Sequence, residues 1–223
     1  MDIDLTPFFK KYEALASAAD QVFERIRQTH PDCVNCHTGC ADCCHALFDL
    51  TLIEALYINH HFNKKYNGGK KALLIEKCNI ADRKTYKFKK EAYKDFKSKI
   101  SETEILMKMA KERVRCPLLN DQDMCDLYDY RPITCRTYGI PTAIGGIGHT
   151  CGLSGFNEGT AYPTLNIDKL QQQLYAISSD FTNSINTKHP KIKEVLVPIS
   201  MAILTEYNDE FLGIISTTEA KNR

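Results

Sequence analysis

Apolar side chains recur with a helical period at the start of the chain. Within residues 7–30 they are spaced three or four positions apart, at Phe8, Tyr12, Leu15, Ala19, Val22 and Ile26. This spacing places them on one face of a helix. Thr6 is the expected N-cap, Pro7 suits the first helical position, and Pro31 cannot continue the helix. The pattern therefore predicts an amphipathic helix over residues 7–30.

Similar patterns, with start and stop signals, predict more helices further along the chain. They span Asp49 or Thr51 to about Phe62, residues 70–99 with a break near Asn79, the capping box Ser101–Glu104 to about Val114, residues 166–186, and residues 198–207. Residues 116–165 show no clear period, and no stretch alternates as a half-buried strand does. We therefore expect a mainly α, irregular helical domain, with residues 216–223 frayed.

One predicted helix combines basic and aromatic residues. Residues 83–99 hold eight Lys and Arg together with Tyr86, Tyr93 and Phe96, a mixture that can bind nucleic acid. Across the whole chain, however, 29 basic residues balance 28 acidic ones. We therefore do not expect a nucleic-acid partner, and we expect an amphipathic helix that buries these three rings.

The sequence predicts a cytoplasmic protein without a membrane span. No run reaches the roughly 18 apolar residues that a span needs, and the first residues lack the apolar region of a secretory signal. Cytoplasmic thiols stay reduced. Clustered cysteines in this setting indicate metal ligands or redox groups rather than disulfides.

Nine of the ten cysteines fall into two groups that lie outside the helical patterns. The first group is Cys33, Cys36, Cys40, Cys43 and Cys44, and the second is Cys116, Cys125, Cys135 and Cys151. Their neighbours are polar or turn-forming, so these thiols do not build an apolar face. Closely spaced thiols on loops suit a soft metal ion or an iron–sulfur cluster. We therefore predict that all nine are metal ligands, and that Cys78, four residues after Leu74, packs in the core.

The spacing of the thiols indicates how many metal sites they can form and which metal they suit. Nine thiols permit two four-thiolate sites with one left over, or one site plus redox thiols. The second group lacks the Cys-x-x-Cys knuckles of zinc fingers, and the adjacent Cys43 and Cys44 cannot easily point at one tetrahedral ion. We therefore favour one or two [4Fe–4S] clusters over zinc. His37, His45 and His149 lie beside the groups, as alternative ligands or as hydrogen-bond donors to ligands.

Three motifs in the second group are specific in combination: RCPLL at 115–119, MCDLY at 124–128 and YRPITCRTY at 130–138. With the early cluster that ends in a Cys pair, residues 33–155 resemble the YkgJ-type cysteine-cluster proteins. That family is described as carrying a zinc- or iron-chelating domain and includes the flagellin lysine N-methylase. The resemblance implies an iron–sulfur protein with a redox, sensing or group-transfer role, and S-adenosylmethionine-dependent protein methylation is one version of it. The alternative is a structural zinc domain that mediates protein interaction.

Arg131 and Arg136 flank Cys135 in the last of these motifs. Their guanidinium groups are candidates for cofactor binding, because they can stabilise an anionic cluster or hold a substrate carboxylate or phosphate. Pairing with Asp126 or Asp129 is the alternative.

The predicted helices flank the cysteine-rich segments on both sides. We expect a single domain over residues 1–223 with a metal-binding core at about 33–155. Helix 7–30 and the helices within 166–207 are expected to pack on this core, with the cysteine loops converging on a metal centre. A protein partner or protein substrate fits this arrangement, and the sequence does not indicate the oligomeric state.

Overall fold

A computed structural model describes residues 3–215, apart from the side chain of Leu106, so the expected fraying of residues 216–223 lies outside the described part. The helices are α1 (Thr6–Thr29), α2 (Leu52–Lys65), α3 (Gly68–Lys97), α4 (Glu102–Lys111), α5 (Ile133–Thr137), α6 (Ile167–Ser184), α7 (Ile199–Leu204) and α8 (Asp209–Leu212). The prediction of a mainly α fold is confirmed. Among residues 3–215, no helix combines the length and apolar character that crossing a bilayer requires.

Five short strands connect the helices: β1 (Leu50–Thr51), β2 (Thr142–Ile144), β3 (Ile147–His149), β4 (Leu165–Asn166) and β5 (Leu196–Val197). β1 pairs with β5 antiparallel, while β2 lies between antiparallel β3 and parallel β4. Gly145 and Gly146 form the β2–β3 turn with φ of 57° and 79°, a conformation that hairpin turns require and glycine adopts readily. Strands of two or three residues are too short to show a period in the sequence.

The predicted apolar faces of α1 and α6 pack in the core together with α2. Tyr12, Leu15 and Ala19 of α1 pack with Leu174 and Phe181 of α6 in one buried cluster. A smaller cluster, formed by Ile26, Val34, Ile140 and Phe156, lies beside the first cysteine group. The N-terminal helix and the C-terminal helices therefore support the cysteine-rich part of the chain.

The long helix α3 differs from the sequence prediction in two ways. It is continuous from Gly68 to Lys97, so the expected break near Asn79 is wrong. Tyr86, Tyr93 and Phe96 are 63%, 59% and 54% exposed, so the expectation that they are buried is also wrong. The last buried residue of α3 is Thr85, and the helix continues past the core from there.

Several helix ends also differ from the prediction. Thr6 is the first residue of α1 and not its N-cap. The α2 helix continues to Lys65, so His60 and His61 lie inside it rather than at its end. The predicted helix over 198–207 corresponds to the shorter α7, which ends at Leu204, and a separate short helix, α8, follows with Asn208 as its N-cap. Predictions of helix ends are the least reliable part of such an interpretation because a single cap can move them.

Candidate functional site

A cavity of about 940 Å³ opens between α1 and the two cysteine-rich segments. Eight of the nine predicted ligands line it: Cys36, Cys40, Cys43, Cys44, Cys116, Cys125, Cys135 and Cys151. Apolar side chains such as Phe23 and Leu118 form other parts of its wall. The cavity is far larger than the roughly 30 Å³ of one water molecule, so it has room for a bound group.

The remaining cysteines lie apart from the residues that line this cavity. Cys33 is partly buried against the smaller core cluster beside Val34. Cys78 is fully buried in the main core together with Leu74, so its predicted packing is confirmed.

The three candidate histidines occupy different positions. His37 lines the cavity, and its Nδ1 lies 2.8 Å from the carbonyl oxygen of Asn35. His45 Nδ1 lies 3.0 Å from the carbonyl oxygen of Ala41, and His149 is on the exposed strand β3. The structure therefore places only His37 in the wall of the cavity.

Backbone pairing brings the end of the first cysteine group to the start of the second. The Cys116 N–H donates to the Cys44 carbonyl at 2.7 Å, and the Val114 N–H donates to the His45 carbonyl at 3.0 Å. A 3₁₀ turn at Asp42–His45 carries both Cys43 and Cys44 to this point. Cys44 and Cys116 are thus held side by side by backbone hydrogen bonds.

A second set of contacts joins the start of the first group to the loop around Cys151. The Asn35 Nδ2 donates to the Leu153 carbonyl at 2.6 Å, and the Gly155 N–H donates to the Cys33 carbonyl at 2.8 Å. These bonds hold residues 33–36 against residues 151–155.

Gly139 provides the space for one of the sulfurs. A Cβ atom at this position would lie 2.1 Å from Cys36 Sγ, which is closer than two such atoms can approach. A residue larger than glycine would therefore displace the Cys36 sulfur from the cavity wall.

Glu54, which is buried in α2, fixes the short helix that carries Cys135. Its Oε2 accepts hydrogen bonds from the N–H and hydroxyl of Thr51, and its Oε1 accepts one from the Ile133 N–H at 3.1 Å. Ile133 begins α5, and Cys135 follows two residues later. Burial raises the pKa of Glu54 above its ordinary value despite these three donors.

The two candidate arginines have different surroundings. Arg136 donates to the Arg131 carbonyl at 2.8 Å, the Asp20 carboxylate at 2.5 Å and the Asp129 carbonyl at 2.7 Å. These acceptors occupy its guanidinium group and hold the loop that precedes α5.

Arg131 has an unpaired donor within residues 3–215 and lies in the wall of the cavity. Its Nε is buried without an acceptor among the described residues, and its guanidinium carbon lies 3.7 Å from the centre of the Tyr128 ring. It lines the cavity. Thiol hydrogen bonds lower the pKa of Cys43 and burial raises the pKa of Cys125, and the positive charge of Arg131 acts in the lowering direction on both. Of the two arginines, Arg131 is therefore the one positioned to stabilise negative charge there.

Most of the shifted thiols in the cavity have a raised pKa. Burial raises the pKa of Cys116 to about 12 and, with the neighbouring Cys40, that of Cys36 to about 11. The pKa of Cys43 is lowered because the thiols of Cys135 and Cys44 donate hydrogen bonds to its sulfur. The protonated thiols would release their protons on binding a metal.

The cysteines around the cavity have suitable chemistry for a metal, but the structure does not arrange them as a metal site. Within residues 3–215, no three or more His, Cys, Asp or Glu side chains form a group that can hold a metal ion as it stands. Eight thiols facing one cavity are nevertheless the donors that soft ions and iron–sulfur clusters take. The residues fit such a group chemically, and the loops would have to close around it.

The sequence interpretation missed three residues that shape the site: Asp42, Glu54 and Gly139. Thr51 and Glu54 have the spacing of a capping box, a signal that was present in the sequence. Asp42 pairs with Arg113, and its Oδ2 lies 3.5 Å from Cys151 Sγ. The sequence does not indicate the Asp42–Cys151 contact or the Gly139–Cys36 contact, because each joins distant parts of the chain.

The chain was also compared with known proteins. No protein-family model, no curated protein and no solved structure matches it.

Proposed function

We propose that the cavity holds a thiolate-bound iron–sulfur centre and that the chain is a YkgJ-type protein with a redox, sensing or group-transfer role. The observation that carries this proposal is the presence of eight cysteines around one cavity. Thiols that serve only packing are distributed through a core, as Cys78 is, and do not surround a space of this size. An iron–sulfur centre supplies electron transfer when it is bound.

Arg131 supports an anionic occupant. A group held by four thiolates carries net negative charge, and a guanidinium whose Nε has no acceptor among residues 3–215 can compensate that charge directly. Tyr128 holds the guanidinium by stacking beneath it, so the cation stays at the wall of the cavity. Arg136 contributes indirectly by fixing the loop that carries Arg131.

Methyl transfer from S-adenosylmethionine remains one version of the group-transfer role. The glycine-rich stretch at 145–148 does not argue for it, because it forms the β2–β3 hairpin turn. A nucleotide-binding glycine loop instead joins a strand to the N-terminus of a helix.

A structural zinc domain that presents its helices to a protein partner is the second candidate. The exposed Tyr86, Tyr93 and Phe96 on α3 favour it, because exposed aromatic side chains are typical of protein interfaces. Four thiolates also suit zinc. Both candidates place the protein in the cytoplasm, where its thiols stay reduced.

Anaerobic purification separates the two candidates. Iron, zinc and acid-labile sulfide are measured per chain, together with the visible absorption spectrum. A brown protein with iron and sulfide supports the iron–sulfur proposal. A colourless protein with stoichiometric zinc supports the second candidate, and a protein with neither metal contradicts both.

Limited proteolysis adds a structural readout. The proposal requires the loops at 33–44 and 116–151 to close around the bound group, so chelation should increase their cleavage relative to α6. Cleavage that is the same before and after chelation would contradict closure of the loops.

A further inference from the structure

We propose that the eight thiols form two four-thiolate sites that meet at the Cys43–Cys44 pair. Site A consists of Cys36, Cys40, Cys43 and Cys151, and site B consists of Cys44, Cys116, Cys125 and Cys135. The inference rests on the proposed function, and it adds the number of bound groups and the division of the thiols between them.

The chain contacts of site A bring its outer members together. The hydrogen bonds from Asn35 to Leu153 and from Gly155 to Cys33 hold the Cys36 segment against the Cys151 loop. Cys40 lies between them in sequence, on a turn closed by its own N–H bond to the His37 carbonyl at 3.0 Å.

Different backbone contacts assemble site B. The Cys116 N–H bond to the Cys44 carbonyl joins the first two members. The chain then reverses, and the Asp126 N–H donates to the Leu118 carbonyl at 2.8 Å, which returns Cys125 to Cys116. Glu54 fixes α5, and with it Cys135, against the same wall. Apart from the 3₁₀ turn that carries both Cys43 and Cys44, these bonds do not involve the segments that assemble site A.

The geometry of the Cys43–Cys44 pair favours dividing these two thiols between the sites. Both residues lie in a 3₁₀ turn, in which three residues complete a turn and neighbouring side chains diverge by about 120°. Side chains that leave the backbone in different directions can serve two separate groups. Cys44 is held beside Cys116 in site B, so Cys43 is available to site A.

The position of Cys43 agrees with a place at the boundary. The turn that carries Cys43 contacts both sites, because Asp42 Oδ2 lies 3.5 Å from Cys151 Sγ and the Cys44 carbonyl accepts from the Cys116 N–H at 2.7 Å. Asp42 does not replace Cys43 as the fourth ligand of site A, because its carboxylate pairs with Arg113. Cys33, which does not line the cavity, is the ninth and spare thiol.

Metal stoichiometry in matched variants tests this division. The full chain is reconstituted anaerobically with iron and sulfide, and metal and sulfide per chain are measured for wild type, Cys151→Ser, Cys135→Ser and the double variant. Native mass spectrometry shows whether each molecule carries two groups, one or none. Cys33→Ser is the control, and Cys36→Ser and Cys125→Ser replace any variant that fails to fold.

We expect the wild type to carry two groups and each single variant to carry one group in every molecule. The double variant should carry none, and Cys33→Ser should keep both. Cys43→Ser should retain site B, so combining it with Cys151→Ser should cost nothing further. A wild type with one group, or single variants that lose everything, would overturn the division while leaving the proposed function intact. A wild type that binds no metal would instead contradict the proposed function itself.

Discussion

Replacing Glu54 with Gln tests how firmly α5 is held beside the cavity. The carboxylate accepts two hydrogen bonds from Thr51 and one from the Ile133 N–H, all at 3.0–3.1 Å. Glutamine keeps one acceptor oxygen and turns its NH₂ group towards the remaining donor. A buried N–H without an acceptor costs about 1–3 kcal/mol, so the metal-free variant should lose that much of its free energy of unfolding.

Urea unfolding of the metal-free protein measures this loss. Glu76→Gln is the matched control, because Glu76 lies on the exposed face of α3 and should change stability by no more than about 0.5 kcal/mol. Since Ile133 begins the helix that carries Cys135, Glu54→Gln should also reduce metal content. A Glu54→Gln variant as stable as the control would refute the reasoning.

The stability difference between wild type and Glu54→Gln should depend on pH in a direction that the raised pKa predicts. Burial raises the pKa of Glu54 above its ordinary value of 4.5, so the folded state holds this proton more tightly than the unfolded state does. The wild type therefore gains stability as pH falls through the raised pKa towards 4.5. Glutamine lacks that gain, so the stability difference between wild type and variant should widen at acidic pH. A difference that narrows would show that the pKa is not raised.

Three further substitutions test single contacts. Cys78→Ala should cost about 1 kcal/mol in urea unfolding, as small core truncations do, and should leave metal content unchanged; loss of metal would make Cys78 a ligand. Gly139→Ala should lower metal content by displacing Cys36, whereas Gly148→Ala, where a Cβ meets no atom within 4 Å, should not; equal metal content in both would contradict the contact. Arg131→Met removes the stacking on Tyr128 and should lower the free energy of unfolding of the metal-free protein by at most about 1 kcal/mol. The metal-loaded protein should lose more, and an equal loss in both would show that Arg131 does not act on the bound group.

The sequence predicted the helices whose apolar faces meet the core. In α1 the period placed Tyr12 and Leu15 on the buried face, but Val22 is only partly buried and the buried Phe9 lies outside the predicted positions. The second half of α3 has an equally regular period, yet Tyr86 and Tyr93 remain exposed. Periodicity shows which residues share a face, but whether another element covers that face depends on the tertiary structure.

For the site, the sequence identified the cysteines that line the cavity but not the residues that contact them. Spacing predicted nine ligands, and eight of them line one cavity. It could not separate Arg131 from Arg136, since that difference depends on Asp20 in a distant helix. It also could not find Gly139, whose role depends on the approach of Cys36. The difference between the two arginines and the role of Gly139 both depend on contacts between distant segments.

The order of the cysteines along the chain affects how the protein is made. Cys44 leaves the ribosome 72 residues before Cys116, with which it pairs through a backbone hydrogen bond in the folded protein. At the usual 5–20 residues per second, the early thiols wait for about 4–14 s before their partner is synthesised. During that interval they are open to oxidation and to mismatched metals. The proposed metal group would therefore have to enter late, after Cys151 has emerged and the two halves of the cavity have come together.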